Sequence, residues 1–264
     1  MMSNKVNIED HGKYVVITIC RPEVHNALDP ETHAAMDHAL NQFEQNPNQL
    51  VAIVTGQGTK AFCAGGDISA MAKAEVLEDY AVPRNGYGGM TCRKSSKPII
   101  AAVNGLAMGG GFEMVLAADI AIASEHAVFA LPEARIGTAA VAGGMHRLPR
   151  MIGMKRALEI QLTGRTISAE QALQWGLLNQ VVSADELLPA AIALAEDIIR
   201  SAPLAIRAIL QASKGGMQYS DEFAAMKAQD MGEFPAVQRM LTSSDVKEGL
   251  AAFLEKRLPH WKET

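Results

Sequence analysis

Unbroken apolar runs mark the first half of the chain. Tyr14–Ile19 (YVVITI) is rich in aromatic and β-branched residues and predicts a strand. Residues 50–55 (LVAIVT) and 99–103 (IIAAV) are apolar without alternation, as strands are when both faces of a parallel sheet are covered. Shorter strands are expected at 120–123 and 127–131. Between the first two runs, Asp29-Pro30-Glu31 signals a helix start, with Asp29 as N-cap and Pro30 in the first turn. Met36, Ala39, Leu40 and Phe43 follow at helical spacing and form one apolar face.

After about residue 150 the pattern predicts helices alone. Ser168-Ala169-Glu170-Gln171 and Ser183-Ala184-Asp185-Glu186 both fit a capping box. Gly176 stands where the first of these helices should stop. Pro203 can open another helix. A last helix from Ser244 sets Val246, Leu250 and Phe253 on one stripe. Mixed strands and helices followed by helices predict an α/β fold class, with a core over 1–200 and a helical region over 201–264.

The chain repeats a theme. The run at 50–55 leads into Gly56-Gln57-Gly58 and then Ala64-Gly65-Gly66-Asp67. The run at 99–103 leads into Asn104-Gly105 and then Gly109-Gly110-Gly111-Phe112-Glu113. Each unit reads as strand, turn, glycines and helix start. Helix starts leave N–H groups unpaired and positively polarised. Two of them side by side would present two backbone donors to one negative oxygen.

Composition narrows the function. The chain has 264 residues, with 24 Lys and Arg against 29 Asp and Glu, a net charge of −5. That balance argues against a nucleic-acid partner, since phosphate binding draws on excess cations. The basic stretch Arg93-Lys94-Ser95-Ser96-Lys97 is expected to be a solvated loop. No apolar run approaches a membrane span, and residues 1–10 lack the apolar core of a secretory signal. Three cysteines, Cys20, Cys63 and Cys92, make no disulfide framework and fit a reducing, cytoplasmic setting.

Common motifs fit poorly. Gly56-x-Gly58-x-x-Ala61 formally matches a dinucleotide fingerprint, but Cys63-Ala64-Gly65-Gly66 interrupts the entry to the helix. The acids at the expected offset, Glu75 and Glu78, lie in helix-like sequence. No histidines stand at metal-ligand spacing and the dinucleotide fingerprint is weak, so no metal or redox cofactor is expected. His25, His126 and His146 read as surface or loop residues. Glu113 and Glu133 stand out as carboxylates in apolar surroundings, where a charge costs free energy unless paired or protonated. They read either as helix-start carboxylates or as a tuned acid–base pair.

Longer segments carry a resemblance. Ala61-Phe62-Cys63-Ala64-Gly65-Gly66-Asp67-Ile68, the stretch 98–124 (PIIAAVNGLAMGGGFEMVLAADIAIAS), FALPEARIG (129–137), GGMHRLPR (143–150), 162–182 and 251–257 resemble the enoyl-CoA hydratase/isomerase, or crotonase, family. The likeness runs in order over essentially the whole chain. FALPEA, ALQWG and SAPLAI look like its carnitinyl-CoA dehydratase branch. The resemblance implies a ββα-spiral core, a helical C-terminal trimerisation region, and a homotrimer or dimer of trimers. It implies an acyl-CoA substrate, with coenzyme A entering only as part of the thioester.

Family motifs place the oxyanion-hole amides on Ala64 and Gly110 and the catalytic glutamates at Glu113 and Glu133. By the same likeness, Glu133 protonates C2 and Glu113 activates water. Coenzyme A is expected along Phe62, Ala64, Gly66, Asp67 and Ile68. Lys256 either reaches its phosphates or simply suits a helix C-terminus. Met71, Met90 and Met108 are candidates for the acyl pocket, and Cys63 reads as packing. Where family hydratases carry Pro-Gly after the second glutamate, this chain has Ala140-Val141, which alters water placement, substrate width or both. The resemblance leaves a CoA-linked isomerase, a CoA thioesterase and a non-catalytic acyl-CoA-binding protein as alternatives to a hydratase.

Overall fold

A computed structural model describes residues 5–73 and 80–263. The chain divides into two compact units, one within 1–95 and 99–195, the other within 96–98 and 196–264.

The first unit is built on two sheets. One has the order β1 (Val6–Asp10), β2 (Tyr14–Ile19), β3 (Val51–Gly56), β5 (Ile99–Val103), β7 (Ile120–Ser124), β10 (Gln180–Val182). The other has the order β4 (Ala61–Cys63), β6 (Leu106–Met108), β8 (Val128–Ala130), β9 (Ile167–Ser168). Pairing is parallel except for β1 with β2 and β8 with β9.

The connectivity explains the repeated sequence theme. Each turn of chain gives one strand to the large sheet and the next to the small one: β3 then β4, β5 then β6, β7 then β8. A helical segment closes each turn: α2 (Ile68–Met71), α3 (Gly110–Ala117) and a 3-10 turn, Glu133–Ile136. Strands β3 and β5 are buried at every position, as their unalternating sequences predict. Helix α1 (Pro30–Gln45) begins where expected: the Asp29 side chain accepts the Thr32 N–H at 2.8 Å, and Met36, Ala39, Leu40 and Phe43 are buried.

Five strands were not expected: β1, β4, β6, β9 and β10. Apart from β1, each has two or three residues, too few to show a period. Thus the region after residue 150 is not helical throughout. It contains the end of α4 (Gly144–Ile152), then α5 (Met154–Thr163), α6 (Ala169–Gln174) and α7 (Leu187–Ile199), but also β9 and β10. Ser168 forms the capping box of α6, and Gly176, at φ 76, ends that helix as read.

Ser183 does not cap α7. Its hydroxyl donates to the Glu186 carboxylate at 2.8 Å, and the helix starts at Leu187. Pro189 accounts for the shift. It has no N–H and belongs in a first helical turn, which a start at Ala184 would not allow. The basic stretch is corrected in part. The Arg93 side chain is only 6% exposed and pairs with Asp37 of α1 at 2.8 Å, and Lys97 is buried, whereas Lys94 and Ser96 are exposed as expected of a solvated loop.

The second unit holds α8 (Pro203–Gly216), α9 (Glu222–Asp230), α10 (Pro235–Thr242) and α11 (Ser244–Glu255) around a small core of Ala208, Phe234 and Val237. On α11, Leu250, Phe253 and Leu254 stand in solvent, 64%, 82% and 80% exposed.

Candidate active site

Side-chain amides lock the two glycine turns together. Asn104 accepts the Gly56 N–H at 3.0 Å and donates to the Gly58 and Ala61 carbonyls at 2.7 and 3.0 Å. Asn26 also donates to the Ala61 carbonyl, at 2.7 Å. The start of α3 is pressed onto the end of β4. A Cβ on Gly111 would stand 2.0 Å from the Cys63 carbonyl oxygen, so only glycine permits this approach. A Cβ on Gly65 would lie 3.5 Å from the Gly110 nitrogen, which puts the 64–67 loop directly beside that helix start.

Which amides of the loop face outward follows by elimination. The Ala64 N–H donates to the His25 carbonyl at 3.0 Å, and the Asp67 N–H donates to the Leu28 carbonyl at 2.9 Å. The Gly65 N–H lies 3.4 Å from the Cys63 sulfur. Of these four amides, Gly66 alone keeps an uncommitted N–H among the described residues. The expectation that Ala64 supplies the donor is therefore corrected. The parallel bridge between Leu28 and Gly66 uses the Gly65 carbonyl and the Asp67 N–H, and leaves the Gly66 N–H free. Gly110 opens α3, where no intrahelical acceptor exists for its N–H. Gly66 and Gly110 line one cavity of about 260 Å³.

Both glutamates open into that cavity. Glu113 rides on α3 and is 3% exposed. Its Oε1 accepts the Gly144 N–H at 2.8 Å, at the start of α4. Burial pushes its carboxyl up to about 7 against the pull of that bond, and the nearby Glu133 adds to the rise. Glu133 follows Pro132 on the 3-10 turn after β8. Burial raises it too, and its Oε2 is buried with no hydrogen-bond partner among the described residues. Its Oε1 would lie 3.1 Å from a Cβ on Gly109, so the second carboxylate also faces the start of α3. A larger cavity, about 700 Å³, shares Glu133, Thr138 and Ala139 and continues to His146 and Arg150, but does not include Glu113.

The remaining expected residues divide. Ala64, Ile68 and Met71 line the smaller cavity. The Phe62 side chain does not: it is wholly buried in the core, because β4 points it inward. Asp67 is committed elsewhere, accepting from Arg21 at 2.9 Å and from the Ser69 N–H at the start of α2. Met90 belongs to the core and Met108 lies in β6, so neither lines the cavity. Lys256 is the left-handed C-cap of α11, in the second unit. Cys63 is buried, and its thiol is pushed up to about 12, which fits packing and not nucleophilic attack. All three cysteines are free.

Val141 stands 68% exposed at the cavity with its N–H turned to the Ala139 carbonyl at 2.8 Å. Its side chain takes up width at the cavity, and its amide is not offered to a ligand. Glu75 and Glu78 lie outside the described residues. Among the described residues no cluster of His, Cys, Asp and Glu could hold a metal ion, and no helix is long and apolar enough to cross a membrane. Tyr80, Tyr87 and Thr138, which no sequence motif marks, also line the cavity. For Tyr87 the available signal was its setting among Gly86, Gly88 and Gly89.

The family profile described as Enoyl-CoA hydratase/isomerase matches residues 9–264. The chain belongs to the enoyl-CoA hydratase/isomerase family. Among curated members, it is 41% identical over 264 residues to a carnitinyl-CoA dehydratase of Salmonella arizonae, covering 99% of each chain. It is also 41% identical to that of Proteus mirabilis over 262 residues. Among solved structures of the family, an enoyl-CoA hydratase from Bacillus anthracis superposes with a TM-score of 0.91 at 34% identity, covering 99% of this chain and 100% of that one. One from Mycobacterium tuberculosis gives 0.90 at 36% identity, with the same coverage. The two-sheet spiral is thus the crotonase fold of this enoyl-CoA hydratase/isomerase family member.

Proposed function

We propose that the cavity adds water reversibly across the 2,3 double bond of a 2-enoyl-CoA thioester, the activity of a hydro-lyase. The observation that carries this reading is the meeting of two uncommitted amides, Gly66 and Gly110, with two carboxyl groups of raised affinity for protons, Glu113 and Glu133, in one cavity. The amides receive the thioester oxygen. As water adds at C3, negative charge grows on that oxygen, and donors already aimed there favour the transition state over the ground state. Glu113 takes the proton from water and Glu133 delivers one to C2. Reversal exchanges the protonation states. A group with its pKa near 7 serves well as base in one direction and acid in the other. Coenzyme A is part of the substrate, and water and enoyl thioester balance against hydroxyacyl thioester without any redox partner.

Substrate class is the second level of the reading. The 41% identity to carnitinyl-CoA dehydratases along the whole chain favours dehydration of a 3-hydroxyacyl-CoA of that kind as the specialised form of the same chemistry. One panel tests both levels: crotonyl-CoA, 3-hydroxybutyryl-CoA and carnitinyl-CoA, with product identification, on wild type, Glu113→Gln and Glu133→Gln. Loss of hydration in both variants supports these roles. A wild type that only moves the double bond, releases free thiol, or binds without turnover overturns them in favour of an isomerase, a thioesterase or a binding protein.

A further inference from the structure

Tyr87 lines the same cavity, yet the reaction above makes no use of it. The residue is 9% exposed, and its hydroxyl has no hydrogen-bond partner among the described residues. Its mounting is rigid. Gly86, Gly88 and Gly89 take left-handed φ of 82, 57 and 67. A Cβ on Gly88 would meet the Met114 sulfur at 2.6 Å, and one on Gly89 would meet the Asp37 Cα at 2.6 Å. The Tyr87 N–H donates to Thr91 Oγ1 at 2.8 Å, and the Gly88 N–H donates to His33 Nδ1 at 3.0 Å. The His33 ring stands edge-on to the tyrosine with centroids 4.4 Å apart. The hydroxyl-bearing carbon, Cζ, is the nearest atom to a Cβ placed on Gly110. The phenol end therefore sits beside the start of α3.

A buried hydroxyl without a partner costs free energy in the unliganded protein, and that cost is offset when a ligand oxygen arrives. The thioester oxygen is not the natural acceptor. It has two lone pairs, and the Gly66 and Gly110 amides already answer them. Much of the remaining lining is apolar, including Ile68, Met71, Val82, Ile136 and Val141. The Tyr80 hydroxyl is spent on the Leu28 carbonyl.

We propose that Tyr87 is a specificity residue whose hydroxyl donates to a hydroxyl or oxo oxygen carried on the acyl chain of the thioester. This deepens the proposed function and rests on its placing of an acyl-CoA in this cavity. A site built around a hydrogen bond discriminates strongly against ligands that cannot complete it, because its own polar group is left unpaired.

The test uses two saturated esters that cannot be hydrated or dehydrated at C2–C3, pentanoyl-CoA and 4-oxopentanoyl-CoA, titrated calorimetrically into the full chain. Wild type should bind the oxo ester about tenfold more tightly. Tyr87→Phe should bind both alike and melt no lower than wild type, since it sheds an unpaired hydroxyl. Thr138→Val should keep the preference. A wild type without preference, a Tyr87→Phe that keeps it or weakens both esters equally, or loss of preference in Thr138→Val overturns the assignment. If neither ester binds, the acyl-CoA reading falls with it. Discrimination without hydration of any enoyl-CoA overturns the hydratase reading and leaves Tyr87 in place.

Discussion

The amide of Ala64 is bonded to the carbonyl oxygen of His25 at 3.0 Å. That bond anchors the start of the glycine loop and leaves the free donor two residues further on. It makes Gly66 and Ala64 experimentally distinct. The three atoms nearest a Cβ on Gly66 all belong to the flexible Met71 side chain, so Gly66→Ala keeps its N–H at little steric cost. Gly66→Pro removes the N–H. Kinetics on crotonyl-CoA should show Gly66→Ala near wild type and Gly66→Pro lower in kcat by about 10²–10³-fold, the usual loss for one oxyanion donor. Thermal melts of both variants separate this from misfolding.

Glu113→Gln and Glu133→Gln should each lower kcat by about 10²–10⁴-fold, as expected when a positioned acid or base is removed. The amide oxygen of Gln can still accept from Gly144, so α4 keeps its contact and the Glu113 variant should remain folded. Steady-state rates in both directions, compared with circular dichroism, check this.

Glu113 also links stability to pH. Its ordinary value is 4.5 and burial lifts it to about 7 in the folded protein. Between those values the folded state binds the proton and the unfolded chain does not. The stabilisation is therefore complete below pH 4.5 and is lost as pH rises through about 7. Urea midpoints measured across that window should fall with pH in wild type and fall less in Glu113→Gln.

The apolar side chains on α11 predict self-association, in keeping with the trimer that the family resemblance implies. Sedimentation should give the mass of three or six chains. Phe253→Glu, at a position 82% exposed in the single chain, should shift the distribution to smaller species while preserving helix content.

Much of the architecture could be read from the chain because long-range burial writes itself into local pattern. The strands β2, β3 and β5 are apolar because they are covered on both faces, and Asp29-Pro30 fixes the start of α1. The strands β4, β6, β9 and β10 left no such trace, since their existence depends on partners far away in sequence. The site was legible to the same degree. Glu113 and Glu133 announced themselves as acids in apolar company. The choice between Ala64 and Gly66 depended on the His25 carbonyl, 39 positions upstream of Ala64, and no feature of the loop itself encodes that contact. Tyr87 was missed because one aromatic among glycines has no period. Its meaning lies in a missing partner, which only three dimensions reveal.

The pairing of β6 with β8, Ala107 opposite Phe129 and Met108 opposite Ala130, reaches beyond the sheet. Glu113 rides on α3, five residues after β6 ends, and Glu133 stands three residues after β8 ends, so the pairing of these strands fixes where the two segments that carry the acids begin. Lengthening the turn at Glu125-His126 should therefore be tolerated, whereas one residue inserted between Ala130 and Glu133 would swing the carboxylate out of line. An extension confined to that exposed turn leaves this short stretch of ladder untouched.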